Sequence, residues 1–361
     1  MNSMSTFQIS LAIVGALVLL AVVAHTAWSS RKNLPKRAIP AAVPRQEPAG
    51  TAPHDDAPAA DDLAHRQEPS FDTDSGLAAL AKRTTAEKRP ALDALVDAMA
   101  PVALESLVSG DAALAAMPST LRAGSKPFGV EGLSADTGEW EFPAPGQRYS
   151  AFQCGVQLAN RTGALNAIEY SEFVMKTQAF ADALGGEPEF PEMLDEVARA
   201  RELDQFASGH DAQLSFTLRA VHAAWSPGYV QQSAARIGFI AGSMPGRMVL
   251  PASESGHAPV LGLLFDTQAA MADDPEQTAL REVTLSLDVP QVLRSEQPFV
   301  RMCEAALALA ASMDGAIIDD NGNLIRAEAM EAIHADLEQL YDTLDARELA
   351  AGSVLSRRVF S

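Results

Sequence analysis

Alternating apolar and polar residues mark several strands in the C-terminal two thirds of the chain. In EVTLSLDVP (282–290) every second residue is apolar, which predicts a strand with one buried face. Its inward positions are Val283, Leu285, Leu287 and Val289, and its outward positions are Thr284, Ser286 and Asp288. The same reasoning predicts strands at 152–161, 214–221, 247–252, 259–266 and 316–320.

Other stretches have the spacing and end signals of helices. Ser226 followed by Pro227 is typical of a helix start, and glycines close several of these stretches. Residues 127–133 and 139–143 predict a β-hairpin. Residues 91–105 fit a strand or a helix, and the helix start at Ser109-Gly110-Asp111 favours the strand. The predicted helices are 111–124, 171–186, 190–209, 226–238, 298–315 and 327–344.

These elements occur in the same order twice: strand, helix, hairpin, strand, helix, helix. Phe173-Val174 precedes an Ala-rich helix, as Phe299-Val300 does in the second pass. The strand at 316–320 has no obvious counterpart in the first pass, where only GEPEF (186–190) stands. We therefore expect two tandem α+β domains, 90–210 and 211–345, followed by a tail, 346–361.

Residues 7–28, FQISLAIVGALVLLAVVAHTAW, contain no charged residue. As a helix they would extend about 33 Å, which matches a hydrocarbon core of about 30 Å. A signal peptide is the alternative, but here the positive charges follow the apolar run instead of preceding it. The pattern predicts a single transmembrane helix with an external N-terminus and a cytoplasmic body.

Composition changes twice after this segment. Residues 29–75 begin with a basic collar and continue as a Pro- and Ala-rich stretch without apolar periodicity, which predicts a disordered linker. The whole chain carries a net charge of −20, although residues 1–46 contain no acidic residue. An acidic body argues against nucleic acid as a partner.

The sequence offers little chemistry. The seven histidines and two cysteines show no metal-site spacing, and no phosphate-binding or nucleophile motif occurs. Asp319 to Asn323 resembles a calcium loop, but its first ligand position would be Ile317, which cannot bind calcium. Asn321-Gly322 instead predicts a tight turn. We expect no catalysis, no metal, no cofactor and no small-molecule substrate, while an enzyme of unknown type remains an alternative.

The order of these parts resembles the ZipA family of bacterial cell-division proteins. An N-terminal anchor, a basic collar and a proline-rich linker precede an α+β domain. Within 212–345 the resemblance depends on Ile237-Gly238-Phe239, Gly242-x-Met244, Val260–Phe265, Val289-Pro290 and Gly315–Asp320. It implies split β-α-β domains with antiparallel sheets and helices on one face, in a protein of the bacterial inner membrane at the division site.

The resemblance also implies a partner and a site. Family members bind the C-terminal tail of FtsZ in a shallow apolar groove on the open sheet face. The corresponding positions here are Met244, Gly246 and Ser286, of which only the first is apolar. The sequence therefore predicts a non-catalytic scaffold that tethers FtsZ polymers to the membrane. A membrane-anchored module for another division or envelope protein is the alternative, because the outward set of 282–290 is polar.

Overall fold

The computed structural model of the chain describes Lys36 and residues 92–272, 274, 278–319 and 322–361. The predicted transmembrane helix 7–28 lies outside the described residues, as does the linker 29–75 apart from Lys36. None of the described helices combines the length and the apolar content that a bilayer crossing requires. The chain divides into two units, and all residues described from Leu92 onward belong to the same one.

An antiparallel six-stranded sheet organises residues 97–188, and we call it the first sheet. Its strand order is β2-β3-β5-β1-β8, with β4 paired to the outer edge of β3. These strands are β1 (Asp97–Ser109), β2 (Arg122–Ala123), β3 (Lys126–Ser134), β4 (Trp140–Glu141), β5 (Arg148–Gln157) and β8 (Gly186–Pro188). The helices of this part are α1 (Gly110–Ala116), α2 (Ala167–Leu184) and α3 (Met193–His210), and β6 (Ala159–Asn160) pairs with β7 (Gly163–Ala164) beside the sheet.

A second antiparallel sheet of six strands organises residues 213–318 in the order β10-β11-β12-β13-β9-β14. Its strands are β9 (Gln213–Ala220), β10 (Ile240–Ala241), β11 (Arg247–Leu250), β12 (Leu261–Leu264), β13 (Glu282–Asp288) and β14 (Gly315–Ile318). The helices of this part are α4 (Pro227–Ala235), α5 (Thr267–Ala270), α6 (Pro298–Met313) and α7 (Ala327–Ala346). The expected α+β class with antiparallel sheets is therefore confirmed.

Each sheet buries one face against a long helix. On the first sheet Phe128 and Phe152 meet Phe173 and Phe180 of α2, with ring centroids 6.1 and 5.3 Å apart. On the second sheet Phe216 meets Phe299 of α6 at 6.2 Å. The repeated Phe-Val pair thus places a phenylalanine of each helix on its sheet. The predicted alternation along β13 is confirmed, since Val283, Leu285 and Leu287 are buried.

The two sheets share one arrangement that the sequence did not reveal. In each, the first strand lies between the strand before the long helix and a short strand after it: β5-β1-β8 and β13-β9-β14. Gly186–Pro188 of GEPEF is thus a strand, paired to β1 through Val102–Leu104. The domain boundaries 90–210 and 211–345 stay a prediction.

Three predicted elements have different bounds. The helix expected at 111–124 ends at Ala116, because Pro118 cannot continue it, and β2 follows. The stretch 91–105 turns first and becomes a strand only at Asp97. Residues 346–361, expected as a tail, contain helix α8 (Val354–Val359) and bury Val359 and Phe360.

Candidate peptide-binding face of the second sheet

On the side of the second sheet opposite α6, the side chains of β9 to β13 are partly buried or exposed, whereas Ile318 of β14 is buried. We call this side the outer face of the second sheet. Strand register arranges this face in two rows across the sheet. One row runs Ile240, Val249, Gly262, Ser286 and Ser215. The other runs Arg247, Leu264, Thr284, Thr217 and Ile318. Each row therefore crosses from the β10–β12 end to the β9–β14 end.

Apolar side chains concentrate at the β10–β12 end of this face. Ile240 is 55% exposed and Leu264 is 37% exposed, while Val249 is partly buried between them. Gly262 interrupts this apolar group in the middle of the sheet, and the Ser286 side chain lies over it. These three apolar residues could contact an apolar peptide, and sequence reasoning missed them. The sequence signal for them is that Arg247 and Val249 are two residues apart and therefore lie on the same face of a strand. This signal becomes informative only once the pairing of the strands is known.

Met244 lies in the connection between β10 and β11 at the same end of the sheet. Its side chain is 55% exposed, so it is available to a partner. The backbone turns at this point, because Arg247 N donates to Met244 O over 3.2 Å. Pro245 and Gly246 occupy the two central positions, which is the sequence pattern of a type II turn. The structure thus places Met244 at a loop tip instead of within a strand.

Gly246 has a structural reason to be glycine. Its φ is +77°, and a Cβ atom there would lie 2.6 Å from Phe265 O. Any other side chain would strain the backbone of residue 246 and collide with the backbone oxygen of Phe265. The position therefore has no room for a groove-lining side chain.

Ser286 lies in the centre of the outer face and covers Gly262. A Cβ atom on Gly262 would be 2.7 Å from Ser286 Oγ, so the serine fills the space above the glycine. Around it the centre of the face is made of hydroxyl side chains, namely Ser215, Thr217 and Thr284. An apolar peptide would have to desolvate this polar surface, which weakens binding. Of the three site residues predicted from the sequence, only Met244 presents an exposed apolar side chain.

Ion pairs lie at both ends of β13 on this face. Arg219 Nε donates to Glu282 Oε1 over 2.6 Å. At the opposite end of β13, Arg161 bonds Asp288 over 2.8 Å and Asp211 over 2.6 Å. Hydrogen bonds from Arg161 to Asp211 and Asp288 raise the pKa of the guanidinium. Asp288, predicted as an outward residue, is therefore engaged by an arginine from the other half of the chain.

Outside this face, Lys126 is an example of a residue whose pKa is shifted by burial and whose side chain is held by hydrogen bonds within the fold. Burial lowers the pKa of Lys126, whose Nζ donates to Asn160 Oδ1 over 2.8 Å and to Thr162 Oγ1 over 3.1 Å. Among the described residues, no group of His, Cys, Asp and Glu side chains has the arrangement of a metal site.

The loop after β14 is a turn in its described part. Gly322 N donates to the carbonyl oxygen of Asp319, and Asn323 N donates to the carboxylate of Asp319.

Comparison with models of known protein families gives a match in the second sheet region of the chain. The family model described as ZipA, C-terminal FtsZ-binding domain, matches residues 253–336. These residues extend from the loop before β12 into α7 and include Ser286, whereas Met244 and Gly246 precede them. None of the curated proteins matches the chain. The resemblance expected from the sequence is confirmed for this part of the chain: residues 253–336 are similar to the family of the ZipA C-terminal FtsZ-binding domain.

Proposed function

We propose that this protein is a non-catalytic scaffold of the bacterial division machinery that tethers FtsZ polymers to the inner membrane through a peptide-binding sheet face. The observation that carries the proposal is the family match over residues 253–336, because that family is named for FtsZ binding. The structure supports it, since Ile240, Leu264 and Met244 expose apolar side chains at one end of the second sheet.

The tether needs only weak binding at each site. The apolar group on the second sheet, Ile240, Val249 and Leu264 with Met244 nearby, is small, and its neighbours are hydroxyls. FtsZ polymers would present many tails at once, so a membrane-confined array of scaffolds gains effective concentration from multivalency. A weak individual contact therefore suffices to hold a polymer at the membrane.

Membrane attachment is the second part of the proposal. Residues 7–28 would span the inner membrane with the N-terminus in the periplasm, and the basic residues that follow would stay on the cytoplasmic side. The stretch 29–75 would give the body reach away from the bilayer. Fractionation of cells that express the chain tests this part: we expect it in the membrane pellet after alkaline wash, and a soluble chain would contradict it.

FtsZ binding is tested with the full chain in detergent micelles and two forms of FtsZ. Intact FtsZ should be retained on the immobilised chain, and FtsZ without its C-terminal tail should not. Retention of both forms equally would mean that the contact lies elsewhere on FtsZ. If intact, polymerised FtsZ at micromolar concentration is not retained on the immobilised chain, the proposal is contradicted.

A second candidate function is favoured by the polar centre of the outer face. Ser215, Thr217, Thr284 and Ser286 suit a partner that offers hydrogen-bonding groups more than an apolar peptide. The protein would then be a membrane-anchored interaction module for another division or envelope protein. A fluorescent fusion separates the two: a midcell ring that disappears on FtsZ depletion supports FtsZ binding, and a ring that persists supports another partner.

A further inference from the structure

Lys36 lies in the basic collar that follows the predicted transmembrane helix, yet it is bonded to residues 92–361, which we call the body. Its backbone N–H donates to Ala224 O over 2.7 Å, and its carbonyl accepts from Ser226 N over 2.9 Å. These two bonds form a parallel β-bridge to Trp225, the residue between them. Lys36 and the body also belong to the same unit of the chain. Lys36 is therefore added to the body by strand-type pairing.

The edge that binds Lys36 is fixed by the fold. Trp225 is buried and exchanges two hydrogen bonds of 2.8 Å with Leu280 on its other side. Gly315 leaves room for the indole ring, since a Cβ atom there would lie 3.2 Å from Trp225 Cζ2. Addition of an extended segment to such an edge is a general way in which a chain binds through its backbone.

The side chain of Lys36 reaches the C-terminal end of α6. Its Nζ donates to Met313 O over 3.0 Å, and Trp225 Nε1 donates to the same oxygen over 2.7 Å. Asp314, which ends α6, has a carboxylate oxygen 3.6 Å from the ammonium. The last carbonyls of a helix lack partners within the helix and carry partial negative charge, so a lysine is favoured there. The site therefore recognises both the backbone and the charge of residue 36.

The position of this contact limits how far the body can move from the predicted anchor. Residues 29–35 separate the end of the predicted helix from Lys36. Fully extended, the chain from residue 28 to residue 36 reaches roughly 28 Å, whereas from residue 28 to Leu92 it reaches roughly 220 Å. Docking of Lys36 thus reduces the largest possible separation roughly eightfold.

We propose that docking of Lys36 on the edge at Trp225 and on the end of α6 holds the body close to the membrane, and that release of Lys36 extends the reach of the body. The inference rests on the membrane attachment proposed above, because the anchor supplies the fixed point. The charged partners are partly exposed, 32% for Lys36 and 46% for Asp314, so the contact is weak enough to be reversible. A polymer that lies beyond the docked reach binds only the released body.

Carbodiimide cross-linking of the full chain in detergent micelles tests the docking itself. The reagent joins an amine to a neighbouring carboxylate with net loss of water, so it should couple Lys36 Nζ to Asp314, and mass spectrometry identifies the joined peptides. Lys176 and Glu172 of α2, 3.0 Å apart, are the internal control for the reagent. Coupling of the control pair without coupling of Lys36 to Asp314 overturns the inference.

Energy transfer to a lipid dye in liposomes tests the reach. The donor fluorophore is attached at Ala198→Cys, on the exposed side of α3, in a Cys303→Ser background. Lys36→Pro removes the backbone N–H and the ammonium together, and transfer should fall at least about twofold because the body can move farther away. Lys32→Pro also removes a charge and adds a proline, four residues earlier, and transfer should stay as in the unaltered chain.

The outcomes separate this inference from the proposed function. A fall with Lys36→Pro but not with Lys32→Pro supports the docking. Equal transfer in all three chains, or an equal fall in both variants, overturns the inference and leaves membrane attachment standing, provided that the chains float with the liposomes. If the unaltered chain does not float with the liposomes, membrane attachment fails and the argument about reach fails with it, while cross-linking in detergent still decides whether Lys36 docks.

Discussion

The guanidinium of Arg358 forms an ion pair with the carboxylate of Asp97, although 261 residues separate them in the chain. The Asp97 side chain has no solvent exposure and Arg358 is 11% exposed. Asp97 opens β1 of the first sheet, and Arg358 lies in α8 near the C-terminus. Around them, Gln157 Nε2 donates to Arg358 O and Ser356 Oγ donates to Pro290 O. The C-terminal segment thereby connects both sheets.

Arg358→Ala should destabilise the fold strongly. The substitution leaves the buried Asp97 carboxylate without its cation, and removal of one partner of a buried pair costs about 3–5 kcal/mol. Arg201→Ala, at an exposed position on α3, is the matched control and should change the free energy of unfolding by less than about 0.5 kcal/mol. Urea unfolding of both variants measures the difference, and equal small effects would show that the pair contributes little.

The cost of Arg358→Ala should depend on pH. Burial raises the pKa of Asp97 above its ordinary value of 3.8, while Arg358 opposes the rise. Without the arginine the folded-state pKa rises further, so the folded variant binds a proton more tightly than the unfolded chain does. Its stability is then greatest at low pH and is lost as pH rises through that pKa. Unfolding measured from about pH 4 to about pH 8 should show a widening gap to the unaltered chain, and a constant gap would contradict this.

Phe360→Ala should be more harmful than its position near the chain end suggests. The ring is only 1% exposed, and the carbonyl of the same residue accepts a hydrogen bond of 2.6 Å from Gln291 Nε2. Loss of a buried phenylalanine costs about 3–5 kcal/mol. Val354→Ala, at an exposed position in the adjoining helix α8, should cost less than about 0.5 kcal/mol. Thermal unfolding compares the two, and a similar midpoint for both would count against the role of the C-terminal segment.

Patterns that depend on neighbouring residues were predictable from the sequence. The alternation along β13 and the extent of α7 depend on local spacing, and both agree with the structure. Strand β8 has only three residues and gains its hydrogen bonds from β1, so no local pattern marks it. Helix α8 was missed for the same reason. Its residues Arg358 and Ser356 contact Asp97 and Pro290, which lie far away in the sequence.

The candidate site was predictable only in part. Met244 and Ser286 were identified through resemblance, and Ser286 also has an outward position on a predicted strand. Ile240, Val249 and Leu264 come together because β10, β11 and β12 pair in one register, which the sequence did not specify.

Cys154 should resist thiol reagents in the folded protein. Burial raises the pKa of its thiol to about 12, so about 1 part in 10⁴ would be thiolate at pH 8. Cys303 is partly buried, and burial raises the pKa of its thiol as well. Alkylation followed by mass spectrometry should therefore label Cys303 before Cys154, and urea should make both react. Rapid labelling of Cys154 in the folded chain would show that its surroundings open readily.

Gly246→Ala should destabilise the second sheet more than the same substitution at a free turn. Alanine at a φ of +77° is strained, and its Cβ would also press on Phe265 O at 2.6 Å. We expect a cost of at least about 2 kcal/mol. Gly138 has a similar φ of +72° with no atom within 4 Å of its Cβ position, so Gly138→Ala isolates the strain and should cost about 1 kcal/mol. Equal losses for the two variants in urea unfolding would mean that the contact with Phe265 relaxes, which would reopen position 246 to a side chain that lines the groove.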